Sequence, residues 1–111
     1  MSLHDVEITD GPLGPVIALS GEIDLAAVDG VETAMATTVS SQPEILVLDL
    51  RNVDFLDSSG LRVVLRLDRE QREAGKRLAV VRGGRRVARV LELTGAERQL
   101  EMVDDPTEIQ A

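Results

Sequence analysis

Two short segments of this 111-residue chain carry residue types that can do chemistry. The first is Asp57-Ser58-Ser59-Gly60, in which two hydroxyls follow a carboxylate and precede a glycine. The second is Gly21-Glu22-Ile23-Asp24, with two acids close together. A serine just before the first turn of a helix accepts a bond from an orphan backbone N–H, and most such serines do nothing else. A doubled serine followed by glycine is less ordinary. Gly60 is expected to leave the backbone beside the hydroxyls uncovered, open to a modifying enzyme. Asp57 and Asp24 read first as acids placed at helix starts, where the dipole favours them. General acid–base catalysis by the pair lacks a nucleophile–base couple, because the only histidine, His4, is remote in sequence.

The elements around these residues follow from pattern. Ile45-Leu46-Val47-Leu48 is a continuous β-branched and aliphatic run, which suits a central strand, ending near Leu50 and covered on both faces. Arg51 to Asp57 reads as a polar loop. A helix is expected from about Ser59 to Ala74, with Gly60, Val63, Val64, Leu67 and Gln71 on one face and Leu61 and Leu65 beside them. Its pairs Arg66/Glu70 and Arg69/Glu73 are spaced i,i+4. The segment therefore places Ser58 and Ser59 at the positive end of a helix that follows a buried strand.

These residues also carry a family likeness. FLDSSGL after a buried strand resembles the phosphorylation signature of the STAS domain, in the form found in bacterial anti-sigma-factor antagonists. Leu19 to Leu25, reading LSGEIDL, is similar to that family's G-E-[IL]-D segment. The spacing between the two also fits, and the likeness runs from about Val6 to Asp105. It implies that Ser58, the first serine after the aspartate, accepts a phosphate, with Ser59 as helper or cap and the less favoured acceptor. It implies that Asp24, Asp57, Ser58, Ser59, Gly60 and Arg62 lie on the surface that meets a partner. That partner would be an anti-sigma factor with serine kinase activity, with a serine phosphatase reversing the modification. The family's last helix is usually longer than the turn or two that can follow Asp105-Pro106 here.

The remaining elements read in order. Val6 to Thr9 alternates as a half-covered strand. Asp10 to Pro15 is a turn cluster. Val16 to Leu19 is a second strand, so the first two form a hairpin, and Gly21 breaks the pattern. Asp24 is expected to cap a helix over Leu25–Val39, with Val28, Val31, Met35 and Val39 inward; Gly30 weakens it by about 1 kcal/mol relative to alanine. Ser40 to Pro43 ends it. Leu78 to Val81 is a strand, Arg85 to Leu93 a helix with Val87, Val90 and Leu91 inward and Gly95 as its stop, and Leu100 to Val103 a short last strand. The order β-β-α-β-α-β-α-β predicts an α/β fold: a mixed, mostly parallel sheet of about five strands with helices packed on it. One domain is expected over residues 1–111.

Composition narrows the function. Apolar residues make up 43% of the chain, with one Phe and no Trp or Tyr, so the core must be aliphatic. The absence of cysteine excludes disulfides, thiol catalysis and thiolate metal sites. Neither a metal nor a cofactor is expected. The net charge of −8 argues against nucleic acid and anionic membrane as partners. Residues 1–50 hold nine acids and no Lys or Arg, whereas residues 51–111 hold all twelve cations and eleven acids. A surface formed by the acidic half would suit a basic partner. Met1 to Asp10 has neither a basic start nor an apolar block, so no leader is expected and the protein is expected in the cytoplasm.

Two features stay outside this reading. Arg82, Arg85, Arg86 and Arg89 cluster around the third helix, and a solvated face is their ordinary explanation. Gly83-Gly84 precedes that helix but lacks both the GxGxxG and the Walker A spacing. Two alternatives of other classes also remain. One is a STAS accessory subunit of a transporter or sensory complex without a phosphoswitch. The other is a receiver-like domain phosphorylated on Asp49 or Asp57, which would need an acidic pair after the first strand and a well-placed lysine.

Overall fold

The computed structural model describes residues 4–111; the first three residues of the expected domain lie outside it. Strand β1 (His4–Asp10) turns back into β2 (Pro15–Ile23) as an antiparallel hairpin. The chain continues through α1 (Val28–Val39), β3 (Ile45–Leu56), α2 (Ser58–Glu73), β4 (Arg77–Val81), α3 (Arg85–Leu93), α4 (Ala96–Gln99) and β5 (Glu101–Val103). A single 3-10 turn, Pro106–Glu108, follows. The sheet order is β1-β2-β3-β4-β5, with every pair after the hairpin parallel.

Sequential parallel strands joined by crossovers of one hand put all the crossover helices on one face. That face holds the main core. Leu46, Leu48 and Leu50 of β3 point into it and meet Val31 and Met35 of α1, Val63, Val64 and Leu67 of α2, and Val87 and Leu91 of α3. The other face of β3 is buried too, but without a helix. Ile45 and Val47, with Ala79 and Val81 of β4, are covered by Leu13 from the hairpin turn and Ile109 beyond the 3-10 turn. The run from Ile45 to Leu50 is thus buried on both faces, as its composition requires. The expected terminal helix is this one turn. Asp105 caps it, accepting from Thr107 N at 2.9 Å, while Glu108 reaches back to the N–H groups of Asp104 and Asp105 at 2.7 and 2.8 Å.

Four local expectations change. Arg51–Leu56 is strand, because β2 continues past Gly21 to Ile23 and pairs with it, the register slipping between Ala18 and Ser20 and again between Gly21 and Glu22. Gly21 adopts φ 80° at that irregularity, a conformation glycine reaches without steric cost. Helix α1 begins at Val28 behind Ala27, which offers no side-chain cap, so Asp24 is not its N-cap. The i,i+4 pair expected of Arg66 is replaced by an ion pair from Arg66 to Glu32 that ties α2 to α1. Gly95, at φ 81°, does end α3, but a further helical turn, α4, follows it before β5.

Candidate functional site

The parallel pairing of β2 with β3 brings the two motifs together. Ile23 lies opposite Leu56, so the residues that follow them, Asp24 and Asp57, leave the sheet side by side at its carboxyl end. The Ile23 carbonyl is the joint. It accepts the Asp57 N–H at 3.3 Å. It also lies where a Cβ on residue 60 would stand, at 2.6 Å, with Leu56 Cδ1 equally close. Gly60 is buried, and its missing side chain lets the first turn of α2 pack on the end of β2. The expectation that Gly60 uncovers the hydroxyls is therefore corrected: the glycine serves the close approach behind them.

The cap of α2 is also not a serine. Asp57 is extended (φ −92°, ψ −175°) and its Oδ1 accepts the Gly60 N–H at 3.0 Å. That places Ser58 and Ser59 inside the first turn, at its first and second positions. Their own N–H groups have no intrahelical acceptor, as at every helix start. Neither hydroxyl is engaged by a partner among the described residues. Ser58 is exposed and Ser59 half-buried. Since Asp57 does the capping, the role of cap expected for Ser59 is corrected as well, and both hydroxyls are left over.

Asp24 closes a turn instead of a helix. Its carbonyl accepts the Ala27 N–H at 3.0 Å and its Oδ1 the same N–H at 3.2 Å. The residue is half-buried, with Glu22 and Leu25 exposed on either side. Arg62, one turn beyond Ser58, is exposed and makes no ion pair. The expected residues Asp24, Asp57, Ser58, Ser59, Gly60 and Arg62 thus gather at one end of the β2–β3 ribbon, with Gly60 beneath the surface.

Asp49 belongs elsewhere. It sits within β3 opposite Ala18 of β2 and Val81 of β4, and Arg51 Nη2 donates to its Oδ2 at 2.8 Å. Burial pushes this carboxyl up, but hydrogen bonds from the Arg51 side chain and N–H, together with the guanidinium charge, outweigh burial and hold it below the usual carboxylate range. An aspartate so engaged is a poor acceptor for an acyl phosphate. Among the described residues no cluster of three or more His, Cys, Asp or Glu could hold a metal ion.

The glycines before α3 have a packing explanation. A Cβ on Gly83 would stand 2.7 Å from the Leu50 carbonyl and 3.2 Å from Val87 Cβ, so this glycine lets the turn into α3 lie against β3. Arg82 donates to Asp104 Oδ1 at 2.7 Å and to Glu97 Oε1 at 2.9 Å. Arg85, Arg86 and Arg89, in contrast, have no ion-pair partner among the described residues. Sequence reasoning missed what Arg86 and Arg89 lie beside: Phe55 of β3 and Leu93 of α3, both exposed. A large apolar residue just beyond the expected end of a helix stripe was the available signal.

A mixed five-stranded sheet with its helices on one face, and a doubled serine at the start of the second crossover helix, define the class. Residues 4–108 match the STAS domain family, and the chain belongs to it. Among curated relatives, it is 32% identical over 87 residues to the anti-sigma-F factor antagonist RsfB of Mycobacterium tuberculosis, covering 78% of this chain and 70% of that one. It is 33% identical over 91 residues to the anti-sigma F factor antagonist of Paenibacillus polymyxa, covering 81% and 78%. Among solved structures, an anti-sigma factor antagonist from Mycobacterium paratuberculosis superposes with a TM-score of 0.82 at 26% identity, covering 95% of this chain and 89% of that one. No helix among the described residues is long and apolar enough to cross a membrane.

Proposed function

We propose that this protein is an anti-sigma-factor antagonist of the cytoplasm, switched by phosphorylation of Ser58. In its unphosphorylated form it binds an anti-sigma factor and thereby frees the sigma factor. The anti-sigma factor is also a serine kinase that modifies Ser58 and ends the binding, and a serine phosphatase restores it. The protein is then a substrate and a binding module without catalysis of its own. The observation that carries this reading is an exposed Ser58 hydroxyl with no partner, at the start of α2 and beside Asp57 and Asp24.

Electrostatics says how such a switch would act. A phosphate adds about −1.5 to −2 charges at neutral pH. At the start of α2 it meets the unengaged N–H groups of Ser58 and Ser59 and a favourable dipole, worth about 0.3–1 kcal/mol. Arg62 adds at most a few tenths at the surface. Asp57 and Asp24 oppose these gains, so the fold is left nearly unchanged. A docked partner changes the balance. The dianion would have to be desolvated against a surface shaped for a hydroxyl, at a cost of several kcal/mol, and each 1.4 is about tenfold in affinity.

The test is phosphate mapping by mass spectrometry on the protein from its own cells, followed by binding. Ser58→Ala is expected to stay folded, bind the anti-sigma factor and resist the kinase; Ser58→Glu is expected to stay folded and bind poorly. Stoichiometric phosphorylation of Ser58→Ala at Ser59 would move the switch to Ser59. A marked change of melting temperature on phosphorylation would rule out exclusion at the interface as the mechanism.

A further inference from the structure

We infer that the outer face of α3, together with the tip of β3, is a second docking surface, shaped for an acidic amphipathic segment of a protein partner. Along α3, Arg86, Arg89, Val90 and Leu93 follow one another at i, i+3, i+4 and i+7, which is a single stripe of a helix. Arg86, Arg89 and Leu93 lie outside the inward stripe of Val87 and Leu91, while Val90, half-buried and packed on the main core as expected, borders both. The outer stripe faces Phe55 and Leu56, and these six residues line one shallow groove. Phe55 is 43% exposed and Leu93 73% exposed, so the groove presents large apolar side chains that the fold itself does not cover.

The charge on this groove selects the occupant. Half of the twelve cations of the chain are tied to acids: Arg51, Arg66, Arg72, Lys76, Arg77 and Arg82. Arg86 and Arg89 are not, although the chain carries an excess of eight negative charges. Glu92 lies on the same helix and pairs with neither of them. Two uncompensated guanidiniums flanking apolar side chains are complementary to carboxylates flanking leucines. An amphipathic helix laid into a groove offers that pattern at helical spacing. A nucleic acid or an anionic bilayer would also meet the arginines, but it would then face the net negative charge of the rest of the molecule. A short acidic segment reaches only the local patch.

The groove adjoins the Ser58 site, since Leu56 lines the one and packs under Gly60 in the other, but binding there needs no phosphoswitch, and the Ser58→Ala arm below separates the two readings. The probe is a labelled synthetic helix with leucines at i, i+4 and i+7 flanked by glutamates, titrated into the parent protein by fluorescence anisotropy. Comparison peptides are the scrambled sequence and the same helix with lysine in place of glutamate. The acidic helix is expected to bind best. Arg86→Glu with Arg89→Glu is expected to weaken it about tenfold or more, because unlike charges become like ones. Leu93→Ala should weaken it as well, and Ser58→Ala should not. The altered side chains are exposed or lie at the groove, and circular dichroism checks that each variant remains folded. Equal affinity for the parent and the double arginine variant would overturn the inference. So would equal binding of the scrambled peptide, or no binding of the acidic helix at all. Binding to phosphatidylserine vesicles without binding to the acidic helix would assign the groove to lipid instead.

Discussion

The Ile23 carbonyl is a small object that fixes a large part of the site. It receives the Asp57 N–H and leaves room for no side chain at residue 60. Gly60→Ala should therefore cost about 1–3 kcal/mol despite the better helix propensity of alanine, since the added methyl must displace backbone. Asp57→Ala should cost about 1 kcal/mol through the lost cap, and Asp57→Ser should recover most of it. Urea melts of the three variants check the order; a Gly60→Ala protein as stable as the parent would remove the close approach. Asp49 gives a prediction in pH. Its folded carboxyl lies below the ordinary 3.8, so its pairing with Arg51 contributes stability above that value and loses it as pH falls through the folded one. Asp49→Asn should be less stable than the parent at pH 7, and the gap should close in acid. Asp68 works with the opposite sign. Burial raises its carboxyl against the pull of Arg72, so a penalty present at neutral pH fades on acidification. Chemical denaturation of parent and Asp49→Asn from pH 7 to pH 3 measures the gap.

At the scale of elements, legibility depended on how local the cause was. The apolar run of β3, the turn between β1 and β2, and the stripes of α2 and α3 are written in consecutive residues, and they appear where the pattern puts them. The second half of β3 was not legible. Arg51 to Leu56 mixes the polar Arg51, Asn52 and Asp54 with Val53, Phe55 and Leu56 in no strand period, and only the pairing partner from β2 makes it strand. The cap of α2 was ambiguous for another reason. Asp57, Ser58 and Ser59 are all good caps, and the choice among them is made by where the Ile23 carbonyl holds the chain. The short α4 has too few residues to show a period. That the two motifs come together was readable, because both sit at strand ends, but which side chain caps α2 was not. The central strand should tolerate charge least: Val47→Asp or Leu48→Asp puts an unpaired carboxylate on either face, costing several kcal/mol out of a total of about 5–15. Ile109→Ala should cost about 2 kcal/mol by thinning the cover over Val47, Ala79 and Val81. Thermal melts read both; a near-native Val47→Asp would contradict the burial of the helix-free face.

Over the whole molecule, charge is sorted along the chain before it is sorted in space. The first fifty residues contribute only acids, and Asp24 and Glu22 carry that sign to the surface beside Ser58. The uncompensated arginines of α3 carry the other sign to the groove beside Phe55. Steering charges act mainly on the rate of encounter. Asp24→Lys should slow association with the anti-sigma factor and flatten its dependence on salt, with a smaller effect on dissociation. Stopped-flow measurements across a salt series decide the point, and equal rates for variant and parent would remove the steering role.

The order of strands in the sheet has a bearing on how the molecule comes into being. Each strand lies beside the one before it, and none is inserted between two that precede it. A chain emerging amino end first can therefore lay down its sheet as it is synthesised: the hairpin forms from near neighbours, and each later strand adds to a free edge. No pairing already made has to be broken to admit a strand that arrives late. Parallel pairs joined through helices are slow to find each other by loop closure, and waiting edges invite aggregation. Here only one edge waits at a time, and the next crossover to leave the ribosome closes it.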